Sequence, residues 1–157
     1  MVRLIVVSDV HRDTERLERL LPLINTSDYF VFCGDGLNDV MRVRGAITVP
    51  MVCVRGNNDF DTCICDSADI NVGGTRAFVT HGHRYGVRQG TDGVLAAALS
   101  RECSLAFFGH THICCDRTEC GVHMINPGAL CDGYYAEVIG DGTTFKCKHE
   151  YIDGFDT

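Results

Sequence analysis

Three apolar runs in the first sixty residues alternate with two segments of helical character. The first of these segments, DTERLERLLPLI, carries leucines at helical spacing, and the second, LNDVMRVRG, is a short helix closed by Gly45. A β-α-β-α-β order predicts parallel strands joined by right-handed crossovers, because only a crossover returns the chain in the same direction. The predicted strands are RLIVVSD (3–9), YFVFCGDG (29–36) and MVCVRGNND (51–59).

The first predicted helix has signals at both ends. Asp13 or Thr14 can cap its N-terminus. Pro22 lies near its other end, and proline removes a backbone N–H and clashes with the preceding turn. We therefore expect Pro22 to kink this helix or to end it early.

The second half of the chain is dominated by hairpin signals. Between the hairpins lie an alanine-rich helix, DGVLAAALSRE, and a further strand, SLAFFGHTH. Together with the first half, this order predicts one mixed α/β domain, residues 1–157, with two packed sheets and helices outside them. The hairpins are predicted to turn near Gly73-Gly74, Cys120-Gly121 and Asp141-Gly142.

The charge and hydropathy of the chain limit its partners. Its 21 acidic and 14 basic residues give a formal net charge of −7, so we expect no stable nucleic-acid binding, which relies on many Lys/Arg contacts to phosphate. No apolar run approaches the roughly 18 residues of a membrane span. The apolar start, MVRLIVVSDVH, lacks the basic lead and the cleavage site of a signal peptide. We expect a cytoplasmic protein without membrane segments, and homo-oligomerisation stays open.

Ten cysteines are many for a chain of 157 residues. In a secreted protein they would indicate a disulfide framework. Several instead lie in strand-like runs, as Cys33, Cys53 and Cys147 do, and we interpret them as reduced thiols that pack as small apolar residues. The alternative is a zinc site, although no pair has the two-residue gap of a zinc knuckle. Its candidate ligands are Cys114, Cys115, Cys120 and Cys131.

Polar residues directly follow five of the predicted strands. In α/β folds the ligand crevice lies beyond the carboxyl ends of the strands, so these loops can converge although they are far apart in the sequence. Carboxylates, imidazoles and amide oxygens are ligands of Mn, Fe, Ni, Zn or Mg. The residues are Asp9 and His11, Asp35, Asn57 with Asn58 and Asp59, His81 and His83, and His110 and His112.

This set is larger than one catalytic metal ion requires. Seven candidate ligands would leave a single ion no open position, whereas two ions about 3.5–4 Å apart can share a carboxylate. An isolated histidine is more often structural, but ordered recurrence at strand ends indicates a common site. No lysine-based or serine-based nucleophile pattern competes with this interpretation.

The ordered motifs resemble those of the calcineurin-like metallophosphoesterases, in particular the small single-domain phosphodiesterases of bacteria and archaea. The resemblance runs from residue 2 to about residue 150 without a large insertion, and INPGA (125–129) is similar to a further segment of that branch. It implies an α/β four-layer α-β-β-α sandwich with two mixed sheets. The matching motifs are Asp9-Val10-His11, Gly34-Asp35, Gly56-Asn57-Asn58-Asp59, His81-Gly82-His83 and Gly109-His110-Thr111-His112.

The resemblance divides the seven candidate ligands between two divalent metal ions, with Asp35 bridging both. Mn²⁺ is the expected metal, and Fe, Ni, Zn and Mg are alternatives because such ligand sets accept several ions. The implied activity is hydrolysis of small phosphodiesters, and secondarily of phosphomonoesters, by a metal-bridging hydroxide whose pKa falls from about 15.7 toward about 7. One ion is assigned to Asp9, His11 and His112, and the other to Asn57, His81 and His110.

Two positions depart from the pattern common in this family. Asn58 stands where many relatives have a histidine; an amide can orient phosphate but is a poor proton donor, which favours substrates with acidic leaving groups. Arg12 replaces a glycine, and it either meets a substrate phosphate or is solvated.

His83 is placed to approach the phosphate. Asp59 either orients a ligand histidine or is only a turn residue.

Two other classes of protein are alternatives. A non-catalytic scaffold of the retromer-subunit type is similar in fold but has lost several metal-binding residues, whereas all seven positions here carry competent ligands. A cysteine-rich zinc or redox protein would be recognised by thiol titration and metal analysis.

His123 and His149 lie in hairpin strands, and we interpret both as structural.

We predict that the cysteines are reduced in the native protein. After anaerobic preparation and unfolding in denaturant, a thiol-specific reagent should detect nearly all ten thiols per chain, because the chain shows no sign of an oxidising compartment. The same protein treated with a reductant defines the full count. Several disulfides in the untreated sample would contradict this prediction.

Overall fold

The computed structural model of the protein describes residues 1–60 and 63–154. Its α-helices are α1 (Thr14–Asn25), α2 (Leu37–Val43) and α3 (Asp92–Ser100), and single turns of 3-10 helix occur at Arg44–Ala46 and Leu130–Asp132. Its strands are β1 (Val2–Val7), β2 (Tyr29–Phe32), β3 (Met51–Cys53), β4 (Ser67–Val72), β5 (Thr75–Thr80), β6 (Leu105–Phe107), β7 (Cys115–Glu119), β8 (Val122–Asn126), β9 (Tyr134–Gly140) and β10 (Phe145–Tyr151).

The strands form two mixed sheets of five strands each. In the first sheet, with the order β10-β9-β1-β2-β3, the parallel strands β1, β2 and β3 are extended by the antiparallel pair β9 and β10. In the second sheet, with the order β4-β5-β6-β8-β7, the parallel strands β5, β6 and β8 are flanked by antiparallel β4 and β7. The predicted crossover order and the three predicted hairpins are confirmed.

The buried residues lie in separate layers because the side chains alternate in direction along each strand. Successive side chains of a strand point to opposite faces. In β1, Leu4 and Val6 therefore pack against the second sheet, whereas Ile5 and Val7 pack against α1 and α2. On the far side, α3 packs on the outer face of the second sheet through a cluster that includes Phe78. The result is the expected four-layer α-β-β-α sandwich.

Helix α1 runs through Pro22, so the expectation of an early end was wrong. The helix begins after Asp13, whose side chain accepts a hydrogen bond from the Arg16 N–H, and it continues to Asn25. The carbonyl that Pro22 leaves without its helical partner belongs to Glu18, and both residues lie on the exposed side of the helix. Water can satisfy that carbonyl, while the buried side of the helix holds the last turn against the sheet.

The cysteines are less uniformly buried than expected. Cys33 and Cys103 are buried in the apolar clusters, which agrees with the interpretation as packing residues. Four others are exposed, namely Cys63, Cys65, Cys114 and Cys120. Core packing therefore does not explain them, because they lie in loops and turns or at strand ends rather than inside the sheets. Among the described residues no disulfide is formed, and no helix is both long and apolar enough to cross a membrane.

The layer between the two sheets should dominate the stability of the protein. Phe107 is fully buried there, so Phe107→Ala should lower the free energy of unfolding by about 3–5 kcal/mol. Phe60 is 89% exposed, and the same substitution there should change it by less than about 0.5 kcal/mol. Denaturant unfolding measures both. An equal decrease in the free energy of unfolding of the two variants would show that the layer between the sheets does not dominate the stability.

Candidate metal centre

The loops that follow the parallel strands of both sheets meet at one edge of the sandwich. The Asp9 N–H donates to the Gly34 carbonyl at 2.9 Å, which joins the loops after β1 and β2. The Gly109 N–H donates to the His81 carbonyl at 2.9 Å, which joins the loops after β5 and β6. The His110 N–H then reaches across to Asp9 Oδ2 at 3.1 Å and links the two sheets.

One group of ligand atoms is formed by Asp9, His11 and His112. The Nε2 atoms of the two histidines lie 3.2 Å apart, and Asp9 Oδ1 lies 3.3 Å from that of His11 and 3.2 Å from that of His112. Asp9 Oδ1 is buried and accepts no hydrogen bond from the residues that the structure describes. Lone-pair atoms at these separations repel one another unless a cation or a proton lies among them, so the group fits a metal ion.

A second group is formed by Asp35, His81 and His110. His81 Nε2 lies 3.3 Å from Asp35 Oδ2 and 3.2 Å from His110 Nδ1. Asp35 Oδ2 is also 3.9 Å from His11 Nε2, so its carboxylate lies between the two groups. The arrangement can hold two cations that share this carboxylate.

The second group is oriented by hydrogen bonds at its outer atoms. The His81 Nδ1–H donates to the Cys33 carbonyl at 2.8 Å, which leaves Nε2 as the lone-pair atom facing the cluster. Arg88 Nε donates to His110 Nε2 at 3.1 Å, so the neutral His110 ring carries its proton on Nδ1, which faces the cluster 3.2 Å from His81 Nε2, and a cation bound at Nδ1 would displace that proton. Each imidazole is thereby fixed in one orientation.

Asn58 contacts the shared carboxylate and also lines the cavity beside it. Its backbone N–H donates to Asp35 Oδ1 and its side-chain amide donates to Asp35 Oδ2, both at 2.9 Å. The side-chain amide keeps a second N–H, so the expectation that Asn58 orients a substrate phosphate stays a prediction. These two hydrogen bonds orient the Asp35 carboxylate.

Asp59 orients loops and not a ligand histidine, so both interpretations offered for it were incomplete. Its Oδ2 accepts hydrogen bonds from the backbone N–H groups of Asp35 and Gly56, and its Oδ1 from those of Gly36 and Leu37, at 2.8–3.0 Å. One carboxylate thus ties the loop after β3 to the loop after β2. A Cβ atom at Gly56 would overlap the Asp35 carboxylate, which explains the glycine there.

Strained backbone conformations are concentrated at the site. Residues other than glycine seldom adopt positive φ angles, and such conformations cluster where function requires them. Among the described residues, five of the eight non-glycine residues with positive φ are candidate ligands. They are Asp9 (55°), His11 (45°), Asp35 (63°), His110 (71°) and His112 (63°).

The protonation states of the cluster follow from its burial and charges. Burial alone would raise the pKa of Asp35, but hydrogen bonds from His81 and Asn58 and the charge of His81 hold it well below its usual value. Burial opposes protonation of His81, yet contacts with Asp35 and Asp9 leave its pKa raised. Burial, followed by the charge of His81, lowers the pKa of His83 and His110. Protons therefore compete with a metal ion more strongly at His81 than at His110.

The remaining candidates lie at different distances from the cluster. Asn57 is exposed in the turn after β3, so its role as a ligand stays a prediction. The His83 ring centroid lies 5.5 Å from that of His81 and 6.2 Å from that of His110, which places it beside the second group. His123 contacts Asp116 Oδ1 at 2.6 Å, away from the cluster, and His149 contacts the Asn126 carbonyl at 2.7 Å.

Two cavities adjoin the cluster. One, of about 550 Å³, is lined by His11 and Asp35 together with the exposed residues Arg12 and Arg42. The other, of about 440 Å³, is lined by His110 and His112 with Arg88 and several apolar residues. Arg12 thus faces the first cavity, and both cavities combine candidate ligands with an arginine.

Some residues that support the site were missed in the sequence. Asp39 is buried and accepts from the Arg12 N–H at 3.1 Å, and it therefore holds the loop after β1. Asn126 is fully buried, and its side chain donates to the Gly109 carbonyl and the Thr111 hydroxyl. The INPGA segment was a signal for Asn126, whereas nothing in the sequence pointed to Asp39.

The chain matches known proteins along most of its length. A family model for the calcineurin-like phosphoesterase superfamily domain matches residues 2–142. The chain is 29% identical over 130 residues to the probable metallophosphoesterase YsnB of Bacillus subtilis (strain 168), which covers 82% of this chain and 75% of that protein.

Two solved structures share the fold at lower sequence identity. A novel archaeal phosphodiesterase has a TM-score of 0.79 at 19% identity, over 95% of this chain and 100% of that chain. Vps29 of Entamoeba histolytica complexed with Zn²⁺ has a TM-score of 0.78 at 16% identity, over 96% of this chain and 99% of that chain. At these identities the structures show the common fold alone.

Asp59 should matter for both stability and metal binding. Asp59→Asn puts an NH₂ group against backbone N–H groups, which should lower the free energy of unfolding by about 1–3 kcal/mol and metal affinity by about 10–100-fold. The control is Asp69→Asn, which removes exposed contacts to Arg76 and Arg101 and should change both quantities little. Denaturant unfolding and competition with a metal indicator measure the effects. Parental metal affinity in Asp59→Asn would contradict the positioning role.

Proposed function

The chain belongs to the calcineurin-like phosphoesterase superfamily, and from this premise we propose that it hydrolyses small phosphodiesters with two divalent metal ions. The observation that carries the proposal is the pair of ligand groups that share the Asp35 carboxylate. The buried and unpartnered Asp9 Oδ1 in the first group supports it, because an orphaned carboxylate oxygen is costly without a cation. Carboxylate and imidazole ligands suit Mn²⁺ and the related ions.

Several residues of the chain would each have a separate role in binding the phosphate and supporting its hydrolysis. Two bound metal ions would supply Lewis acidity and lower the pKa of a water molecule between them. Arg12 and Arg42 line the cavity beside His11, where a guanidinium can form charge-assisted hydrogen bonds with phosphoryl oxygens. His83 has a lowered pKa and lies beside the second group, so it would approach the substrate as a neutral imidazole.

Several features favour diesters with acidic leaving groups. Asn58 is a poor proton donor, so a leaving group that needs little protonation is favoured. The two cavities offer space for two substituents on one phosphate. The related archaeal structure is described as a phosphodiesterase, and the net charge of −7 disfavours long nucleic acids as substrates.

The fold does not separate this proposal from a non-catalytic scaffold. A phosphodiesterase and Vps29 share it with nearly equal TM-scores of 0.79 and 0.78. The distinction depends on whether the ligand groups bind two ions and support turnover.

The decisive experiment measures metal content and turnover together. The parent protein, loaded with Mn²⁺, should hold about two ions per chain and hydrolyse bis(4-nitrophenyl) phosphate faster than 4-nitrophenyl phosphate. Asp35→Ala should lose both ions, because the shared carboxylate contacts both groups, whereas Asn57→Ala should lose less metal. His83→Ala should keep both ions but lose about 10²–10³ in turnover, as expected when a group that stabilises developing charge is removed.

The matched control is His123→Ala, since His123 is a histidine that lies outside the cluster. It should keep both ions and parental turnover. A folded parent that binds two ions and hydrolyses neither ester would favour the scaffold, and a folded parent that binds no metal would refute the proposed centre. Loss of metal in His83→Ala would show that the division between ligands and substrate contacts is wrong.

A further inference from the structure

We propose that Cys131 supplies a thiolate ligand to the metal position formed by Asp9, His11 and His112, and that this position therefore prefers a thiophilic ion such as Zn²⁺. The inference rests on the proposed dinuclear centre and adds a ligand to it. None of the motifs that define the family resemblance includes this residue. The second position, formed by Asp35, His81 and His110, contains no sulfur ligand.

The geometry places the thiol against the histidine pair. Cys131 Sγ and one ring nitrogen each of His11 and His112 lie within 4.8 Å of one another. Around a tetrahedral zinc ion with bonds of about 2.0–2.3 Å, ligand atoms lie about 3.3–3.6 Å apart. The two imidazoles and Asp9 Oδ1 already have separations of 3.2–3.3 Å. Cys131 would join the two imidazoles, Asp9 Oδ1 and the shared Asp35 carboxylate as a ligand of this position.

The backbone fixes Cys131 beside the loop after β1. Its N–H donates to the Asp9 carbonyl at 3.1 Å, and the neighbouring Leu130 N–H donates to the Ser8 carbonyl at 2.9 Å. The Cys131 carbonyl accepts from Arg16 Nη1 at 3.1 Å. These bonds hold the 3-10 turn Leu130–Asp132 in place on both sides of the cysteine, so its position relative to Asp9 is built into the fold.

An independent observation identifies the same position as a cation site. Asp9 is fully buried, and its Oδ1 accepts no hydrogen bond from the described part of the chain. Its other oxygen is held by the Ser8 hydroxyl at 2.7 Å and by the His110 N–H at 3.1 Å, so Oδ1 is aimed at the two imidazoles. The thiol and the orphaned oxygen therefore approach the same histidine pair.

The chemistry distinguishes the two metal positions. Thiolate ligands favour zinc and other soft ions, whereas carboxylate and imidazole ligands also accept Mn²⁺. On binding, the S–H bond of Cys131 breaks, its proton passes to water, and a metal–sulfur bond forms without any change of oxidation state. We therefore expect a centre in which the position next to Cys131 holds Zn²⁺ even where the other position holds Mn²⁺.

Cys131 has this environment, and the other members of the cysteine set considered in the sequence do not. Cys114, Cys115 and Cys120 belong to no group of metal-ligand atoms among the described residues. The zinc alternative drawn from the sequence thus named one relevant cysteine but with the wrong partners, since the fold pairs it with two histidines and a carboxylate.

Cobalt substitution tests the inference without relying on activity. The full-length protein, stripped of metal under anaerobic conditions, is titrated with Co²⁺ while the near-ultraviolet sulfur-to-cobalt charge-transfer band and bound cobalt are measured. The parent and the exposed-cysteine control Cys120→Ser should both show the band. Cys131→Ser and Cys131→Ala should lose it while they still bind cobalt through the remaining ligands. Circular dichroism establishes that each variant is folded.

A competition experiment measures the selectivity. In mixtures of Zn²⁺ and Mn²⁺, the zinc-to-manganese ratio bound by Cys131→Ser should be at least about 10-fold lower than that bound by the parent. Loss of a residue that only supports a metal ligand already lowers metal affinity by about this factor. If two cobalt ions bind without the band, or if Cys131→Ser keeps it, the thiolate ligand is refuted and the dinuclear centre stands. If no cobalt binds to the folded parent, both proposals fail.

Discussion

The face-to-face packing of two sheets is the constraint on which the rest of the structure depends. One apolar layer, built from residues such as Val6, Val79 and Phe107, holds the sheets together, and parallel strands run through the middle of each. Because the packing brings the carboxyl ends of both parallel sets to one edge, loops that belong to different sheets come into contact. The hydrogen bond from the His110 N–H to Asp9 Oδ2 is the direct link between them.

The site at this edge contains backbone conformations that are unfavourable for residues other than glycine. Left-handed conformations at five candidate ligands cost on the order of 1 kcal/mol each. Compensating contacts surround them: Asp59 accepts four backbone N–H groups, and buried Asp39 and Asn126 hold the loops at either side. The fold thus stabilises a strained arrangement of candidate ligand atoms, as expected of a site that is organised before any ligand binds.

Orienting the shared carboxylate and approaching a substrate would fall to different residues in this site. Asn58 orients the shared carboxylate, while the nearest imidazole outside the ligand groups is His83. Arg12, Arg42 and Arg88 line the two cavities, although the protein as a whole is acidic. Three arginines therefore lie beside the position proposed for a phosphate, and this is consistent with a small anionic substrate.

The fold class and the set of residues at the strand ends could be predicted from the sequence, because apolar periodicity, turn glycines and strand-end polar residues are local features. The early end expected at Pro22 was wrong because the tolerance of a proline depends on whether the carbonyl that it leaves unpaired faces water. Asp39 and Arg88 had no signal at all, since a single charged residue in a helix or loop gives no sign of the partner it will meet.

By itself, the sequence determined an α/β sandwich with candidate ligands after five strands. Only the tertiary structure decided which atoms meet: Asn58 with Asp35, Arg88 with His110, and Cys131 with the pair His11 and His112. These contacts join loops whose conformations depend on the packing of both sheets and on backbone angles outside the usual regions. The physical reason is that hydrogen bonds and metal ligation act over a few ångströms, a distance that is set only once the sheets are packed together.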